Sequence, residues 1–366
     1  MNKPRTLDDI KNDIRSRVGH RAPFAYADKA EAEEALAKLT TVQGESWAVP
    51  WNELGARWEE RARAAEASGD RDSAQNAYLK AYGYYGIARH PFPSSPAKQY
   101  AYRKTRETFM AASRYFAIPV ERVIIPFRDK QIIGHFRLPP KTPAPLILHW
   151  GGIDNWKEER HSFAERFVRE GWACFVMDSP GTGESPVLAS AEAHGVHVAV
   201  LDYLVHRPEI IASRVAVVGA SFGGYWATKL AHVEPDRLCA AVNWGGGIHY
   251  FFQPDWQEKS RHAESYLFDL IEARANLFGK KTFAELVQIM PTLSLQTQGW
   301  LDRPCAPLLI VNGKEDKQVP LEDFYLLLEH GNPKSMRLFP GGHMGNIPLI
   351  FETVLQWLRQ KLQVSQ

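Results

Sequence analysis

Apolar residues recur at three- and four-residue spacing through roughly the first 120 positions, then give way to short unbroken apolar runs. Trp51, Leu54 and Trp58 fall on one face of a helix, and Ala74, Ala77, Tyr78, Ala81 and Tyr85 do the same after the turn Ser68-Gly69-Asp70. An earlier amphipathic segment opens at Leu7, and 29–39 is rich in Ala, Glu and Lys. The proline-rich stretch 91–96 breaks the pattern, which resumes over 100–116. One helix–turn–helix with small facing residues has the form of a tetratricopeptide-like unit. No second copy follows at a fixed period, which argues against a repeat array.

The pattern changes near Pro119. Residues 120–127 and 131–138 alternate as two strands around the turn Arg128-Asp129-Lys130. Apolar runs follow at 145–149, 173–177, 214–218 and 307–311, with a further strand at 240–244 and helical patterns such as 162–170 and 225–232 between them. Strands apolar on both faces and alternating with helices imply a mostly parallel sheet covered on both sides, an α/β fold. Residues 247–300 interrupt the alternation with a helical stretch rich in aromatic and acidic residues, too long for a plain connection. The expected organisation is a helical N-terminal cap domain over 1–119 and a catalytic domain over 120–366, with a helical lid at about 247–300.

Composition narrows the function classes. At 366 residues, 45% hydrophobic and 23% charged, the chain has material for a large core. Lys+Arg 44 against Asp+Glu 42 gives a formal charge of +2, without the one-sided basic excess of a nucleic-acid binder. Cys174, Cys239 and Cys305 stand far apart and match no disulfide framework or metal-ligand spacing. The N-terminus is charged, and no apolar run approaches the roughly 18 residues of a membrane span. These features predict a cytoplasmic protein that meets neither membrane nor nucleic acid and takes a small-molecule substrate. A homodimer through the helical domain is compatible with them. No phosphate-cradling or dinucleotide-binding glycine motif is present, so neither cofactor nor metal is expected.

The strongest chemical signal is Gly219-Ala220-Ser221-Phe222-Gly223, a G-x-S-x-G placed after an apolar strand and before a helical pattern. A serine lifted on such a turn still needs a base and an orienting acid, because a free hydroxyl is a poor nucleophile. In the α/β-hydrolase fold these follow in the order Ser, acid, His. Asp316 lies in the loop after the 307–311 run, in G-x-x-D-x-x-V-P, with Glu315 as the competing carboxylate. His343 follows a short strand pattern and Gly341-Gly342. The oxyanion hole needs two preorganised N–H donors. Phe222 supplies one, and the loop Trp150-Gly151-Gly152-Ile153 the other, from Gly152 or Ile153. The stretch Asp178-Ser179-Pro180-Gly181-Thr182-Gly183-Glu184-Ser185 reads as a structural loop of the same fold. Trp156, His249 and Tyr250 are candidates for lining an aromatic pocket, with ordinary core as the competing reading.

Taken together, these motifs resemble one branch of the α/β-hydrolase superfamily, the group of the fermentation–respiration switch proteins, dihydroxypseudooxynicotine hydrolase and the fungal hydrolases that shorten pigment polyketides. The resemblance runs from Trp51…Tyr85…Pro91-Phe92-Pro93 through Gly151-Gly152-Ile153-Asp154-Asn155-Trp156-Lys157-Glu158-Glu159 to the triad motifs. It implies hydrolysis of a small-to-medium ketone or ester. Some members cleave a carbon–carbon bond beside a ketone, and in the nicotine-degrading relative an acid just after the paired glycines is assigned a part. Asp154 holds the matching place here, although that relative carries Glu. Expelling a carbanion needs protonation at carbon or a polarised ketone, and a carboxyl group there serves either end. The competing reading is that Asp154 caps a helix starting near Lys157. A general carboxylesterase or thioesterase is the alternative enzyme. A non-catalytic regulatory binding protein is the alternative of another class, one with no need of a complete Ser221, Asp316 and His343 set.

Overall fold

The computed structural model describes residues 5–261, 266–330 and 334–362. The chain divides into two compact units, one of residues through Val120 joined by Tyr266–Asp269, the other of the remainder. The sequence places 266–269 within the lid; the structure adds them to the helical unit, where Phe268 packs on Trp47 at 4.6 Å between ring centroids.

Five helices build the first unit: α1 (Leu7–Arg17), α2 (Lys29–Lys38), α3 (Gly44–Ala67), α4 (Arg71–Arg89) and α5 (Pro96–Ser113). Polar side chains start α1, α2 and α4, Thr6 and Asp9 by a reciprocal capping box, Asp28 and Asp70 by accepting first-turn amides. Helix α5 begins at Pro96, four residues ahead of the sequence expectation. Proline at the first helical position forfeits only an N–H that has no intrahelical partner, and Ser95 caps the turn by accepting from Lys98. Trp47, Trp51 and Leu54 face inward from α3 onto Phe24, Tyr84 and Ile87, all buried. The Trp47 indole N–H donates to the Ile87 carbonyl at 2.8 Å, so its one polar group is satisfied in the core.

The second unit is built on eight strands: β1 (Glu121–Phe127), β2 (Lys130–Arg137), β3 (Ala144–Trp150), β4 (Ala173–Met177), β5 (Ile210–Ala220), β6 (Ala240–Trp244), β7 (Leu308–Gly313) and β8 (Lys334–Phe339). Their spatial order is β1-β2-β4-β3-β5-β6-β7-β8. The first hairpin and the β2–β4 pair are antiparallel, and every later pair is parallel. Every residue of β4, β6 and β7 is buried, as expected of strands covered on both faces. The helices of this unit are α6 (His161–Arg169), α7 (Gly195–Leu204), α8 (Phe222–Val233), α9 (Pro254–Ser260), α10 (Leu270–Leu277), α11 (Phe283–Ile289), α12 (Glu322–Glu329) and α13 (Ile347–Leu362).

The 247–300 stretch forms short helices, α9 to α11 with single 3₁₀ turns at Tyr250–Phe252 and Met290–Leu293; its residues 262–265 lie outside the described set. Its start is tied down by Asp323 of α12. The carboxylate, fully buried, accepts the backbone amides of His249 at 2.8 Å, Tyr250 at 2.7 Å and Phe251 at 2.9 Å. Burial pushes this carboxyl up to about 6 in spite of those donors. Among the described residues, no helix is long and apolar enough to cross a membrane.

Candidate active site

Strand β5 ends at Ala220 and α8 begins at Phe222, so Ser221 alone makes the turn between them. Its backbone sits at φ 55°, ψ −127°, a region that a residue with a side chain occupies at a cost of about 1–3 kcal/mol. The turn is that tight because glycine flanks it. A Cβ on Gly219 would stand 1.9 Å from the Gly223 carbonyl oxygen, and one on Gly223 would stand 2.6 Å from the Gly151 oxygen. Neighbouring strands hold the turn from both sides. The Ser221 amide donates to the Trp244 carbonyl at 2.7 Å, and the Trp150 indole N–H donates to the Gly223 carbonyl at 2.7 Å. Trp150 is thus a strut of the turn, wholly buried.

Three sequence-predicted residues come together around that turn. Ser221 Oγ lies 2.8 Å from His343 Nε2, and His343 Nδ1 lies 2.7 Å from Asp316 Oδ2. The loop carboxylate so engaged is Asp316, not its exposed neighbour Glu315. Asp316 also accepts from Asn312 Nδ2 at 2.7 Å and from the amides of Gln318 at 2.7 Å and Val319 at 3.1 Å. Burial raises the Asp316 carboxyl, but the His343 ring beside it and these donors outweigh it and hold it below the ordinary value. An ionised carboxylate only accepts, so His343 Nδ1 carries the proton and Nε2 is left to accept from the Ser221 hydroxyl.

Asn312, at the end of β7, had no part in the sequence reading. Its amide oxygen accepts the Met344 N–H at 3.0 Å while its nitrogen holds Asp316, so one side chain bridges the acid loop and the histidine loop. The Trp244 indole adds a second brace, donating to the Met344 carbonyl at 3.1 Å. An Asn-Gly at a strand end signals a turn; nothing local signals a cross-link to residue 344.

The glycine loop after β3 runs against the serine. A Cβ on Gly152 would lie 3.0 Å from Ser221 Oγ, so only glycine lets the backbone approach this closely. Phe222 opens α8, and its amide is among the first-turn N–H groups that lack an intrahelical partner. Trp156 is buried, with its indole N–H donating to the Ile153 carbonyl at 3.0 Å. Asp154 is half-buried and stands two residues ahead of Trp156, the residue that caps the 3₁₀ turn Lys157–Arg160. There Glu159 reaches back to the Trp156 amide at 2.6 Å. The first helical turn therefore starts too late for Asp154 to be its N-cap.

Two buried polar clusters brace this loop. His149 Nε2 faces Arg160 Nε at 2.9 Å; because the guanidinium only donates, the imidazole accepts there and donates from Nδ1 to the Val218 carbonyl at 2.8 Å. Burial, then the Arg160 charge, holds this histidine neutral, well below its ordinary range. Arg160 also donates to Asn155 Oδ1 at 3.0 Å. In the second cluster the fully buried Lys157 ammonium lies 2.9 Å from Asp178 Oδ2, 2.8 Å from Glu184 Oε2 and 2.8 Å from Glu158 Oε1. Burial pushes the Asp178 carboxyl up, against the pull of Lys157. The two glycine- and acid-rich motifs of the sequence are thus halves of one ion cluster.

His249 and Tyr250 open the 247–300 stretch after β6. His249 Nδ1 lies 2.7 Å from Ser294 Oγ, and burial lowers the ring's pKa. Tyr250 is exposed and packs edge-on against His249 at 4.7 Å. Among the described residues, no hydrogen bond joins either to Ser221 or His343.

A serine on a strained strand-to-helix turn, over a mostly parallel sheet with helices on both faces, defines the α/β-hydrolase class. The family profile described as Esterase FrsA-like matches residues 9–362, and the chain belongs to that family. It is therefore a hydrolase of the esterase kind. Esterase FrsA of Photobacterium profundum is 24% identical over 344 residues, covering 90% of this chain and 80% of that one. The alpha/beta hydrolase gkaG of Penicillium citrinum is 32% identical over 246 residues, 62% of this chain and 58% of that one. The crystal structure of 2,6-dihydroxy-pseudo-oxynicotine hydrolase superposes with a TM-score of 0.77 at 22% identity, over 96% of this chain and 95% of that one.

Proposed function

We propose that the protein hydrolyses the acyl bond of a small-to-medium ester or ketone, with Ser221 as nucleophile, His343 as general base and acid, and Asp316 as its orienter. The observation that carries this reading is the unbroken chain of short hydrogen bonds from Ser221 Oγ through His343 to Asp316. Ser221 Oγ attacks the substrate carbonyl carbon while its proton passes to His343 Nε2. The amide of Phe222, with that of Gly152 or Ile153, receives the oxyanion. Collapse expels the leaving group, which takes the proton from His343, and water then releases the acyl group by the same steps in reverse order. Ser221→Ala should abolish turnover of an activated ester such as p-nitrophenyl acetate with the fold intact. Full retained activity in that variant contradicts the reading.

A carbon–carbon substrate is the more specific form of the proposal, and the position of Asp154 favours it. The residue lies on the glycine loop next to the candidate oxyanion donors and is not the N-cap of the following turn. When the leaving group is carbon, a proton must reach that carbon, and a carboxyl group at this place supplies it or polarises the ketone. Asp154→Asn should then slow cleavage of a β-diketone far more than that of an activated ester. Equal effects on both, or none, remove Asp154 from the chemistry.

A further inference from the structure

The loop Gly151–Trp156 is held from outside as well as from within. Ser179, in the loop after β4, donates from Oγ to the Gly151 carbonyl at 2.9 Å, and both residues are buried. In a trans peptide the carbonyl and the following N–H point in opposite directions. The hydrogen bond from Ser179 therefore fixes which way the Gly152 amide faces, and Gly152 is the residue whose backbone lies against Ser221 Oγ. Trp156 pins the next carbonyl but one, that of Ile153. The Gly152–Ile153 peptide, which carries the second candidate donor, is held between two anchored planes.

Ser179 can impose this orientation because it is itself fixed. Its carbonyl accepts the Thr182 amide at 3.0 Å and the Thr182 hydroxyl at 2.7 Å. The preceding residue, Asp178, accepts the Lys157 amide at 2.8 Å, the Lys157 ammonium at 2.9 Å and the Glu184 amide at 2.8 Å. Lys157 follows the glycine loop directly, so the 178–185 loop grips that loop at both its beginning and its end. An oxyanion site works by having its dipoles in place before charge develops, and a loop held at both ends meets that need.

We infer that Ser179 is a positioning residue for the oxyanion donors, acting on the Gly152 amide through the Gly151 carbonyl. This rests on the reading of Ser221 as nucleophile and of the 151–153 loop as the oxyanion site. The Ser179 hydroxyl touches no reacting atom. Its removal costs transition-state stabilisation while leaving ground-state binding intact.

The test compares wild type, Ser179→Ala and Ser179→Thr on p-nitrophenyl acetate, with affinity for a trifluoromethyl ketone measured alongside. The serine hydroxyl adds to that ketone carbonyl, its proton passing to His343, so the adduct carries the oxyanion. Losing an oxyanion donor outright costs about 100- to 1,000-fold in kcat, so a misaimed one should cost about 10- to 100-fold. The expected result for Ser179→Ala is that loss in kcat, KM within about twofold, a parallel loss of ketone affinity, and recovery of most activity in Ser179→Thr. A Ser179→Ala enzyme with kcat within twofold of wild type, or one whose KM rises while kcat holds, overturns the inference. Wild type as inactive as Ser221→Ala would instead sink the underlying reading, so the two failures are distinct.

Discussion

Asn312 and Asp316 are joined by a 2.7 Å hydrogen bond from Nδ2 to Oδ2, the same carboxylate oxygen that faces His343. Because the Asn312 oxygen holds the Met344 amide, the loops that carry Asp316 and His343 are tied together by a single strand-end side chain. Asn312→Leu, similar in size but without either bond, should lower kcat on an activated ester by about 10- to 100-fold, the scale of a small misplacement of catalytic groups. Steady-state kinetics measures this directly. Activity equal to wild type would mean that the two loops keep their register without the bridge.

Asp323 should give the stability of the protein a distinctive pH dependence. Its carboxyl sits at about 6 in the folded chain against an ordinary 3.8, so the folded state holds the proton more tightly. The resulting stabilisation is fully present below about pH 4 and is lost as pH rises through about 6. At 1.36 kcal/mol per unit it amounts to about 3 kcal/mol. Urea unfolding of wild type and Asp323→Asn at pH 4, 5, 6 and 7 should show wild type losing stability relative to the variant across that window. A constant difference would contradict the assignment.

Removing the Asp323 carboxylate altogether should destabilise the fold at every pH. Asp323→Ala leaves three amides of the 249–251 segment without their acceptor, a loss of about 2–4 kcal/mol. Proteolysis should then cut first near the start of the 247–300 stretch; an unchanged cleavage pattern would speak against its anchoring role.

Gly219→Ala tests the nucleophile turn itself. The added methyl would meet the Gly223 carbonyl oxygen at 1.9 Å, a clash with backbone that no side-chain rotation relieves. The variant should be destabilised by more than about 4 kcal/mol or fail to accumulate as folded protein. Near-wild-type melting would show that the turn has room the structure does not.

Much of this architecture was legible because strands buried on both faces read as continuous apolar runs, and 173–177 and 307–311 do so without interruption. The turn at Ser221 was legible because Gly219 and Gly223 flank it between an apolar run and a helical pattern. Contacts set by long-range closure were not legible. Nothing near Lys157 announces that its ammonium meets carboxylates 21 and 27 residues further on, nor does Asn312 announce a partner at 344. Residues 266–269 are too short a stretch to carry a periodicity, so their place in the helical unit could not be read. The helix break expected at Pro96 is instead a helix opening, because a proline alone does not say on which side of it the helix lies.

The nucleophilic role of Ser221 is most directly tested by mass spectrometry of the protein after reaction with a fluorophosphonate. That reagent forms a stable adduct only with a serine activated by its neighbours. The account predicts one adduct, on the peptide containing Ser221, formed fast in wild type and at a small fraction of that rate in His343→Gln. An unlabelled wild-type protein, or an adduct on another residue, would contradict it.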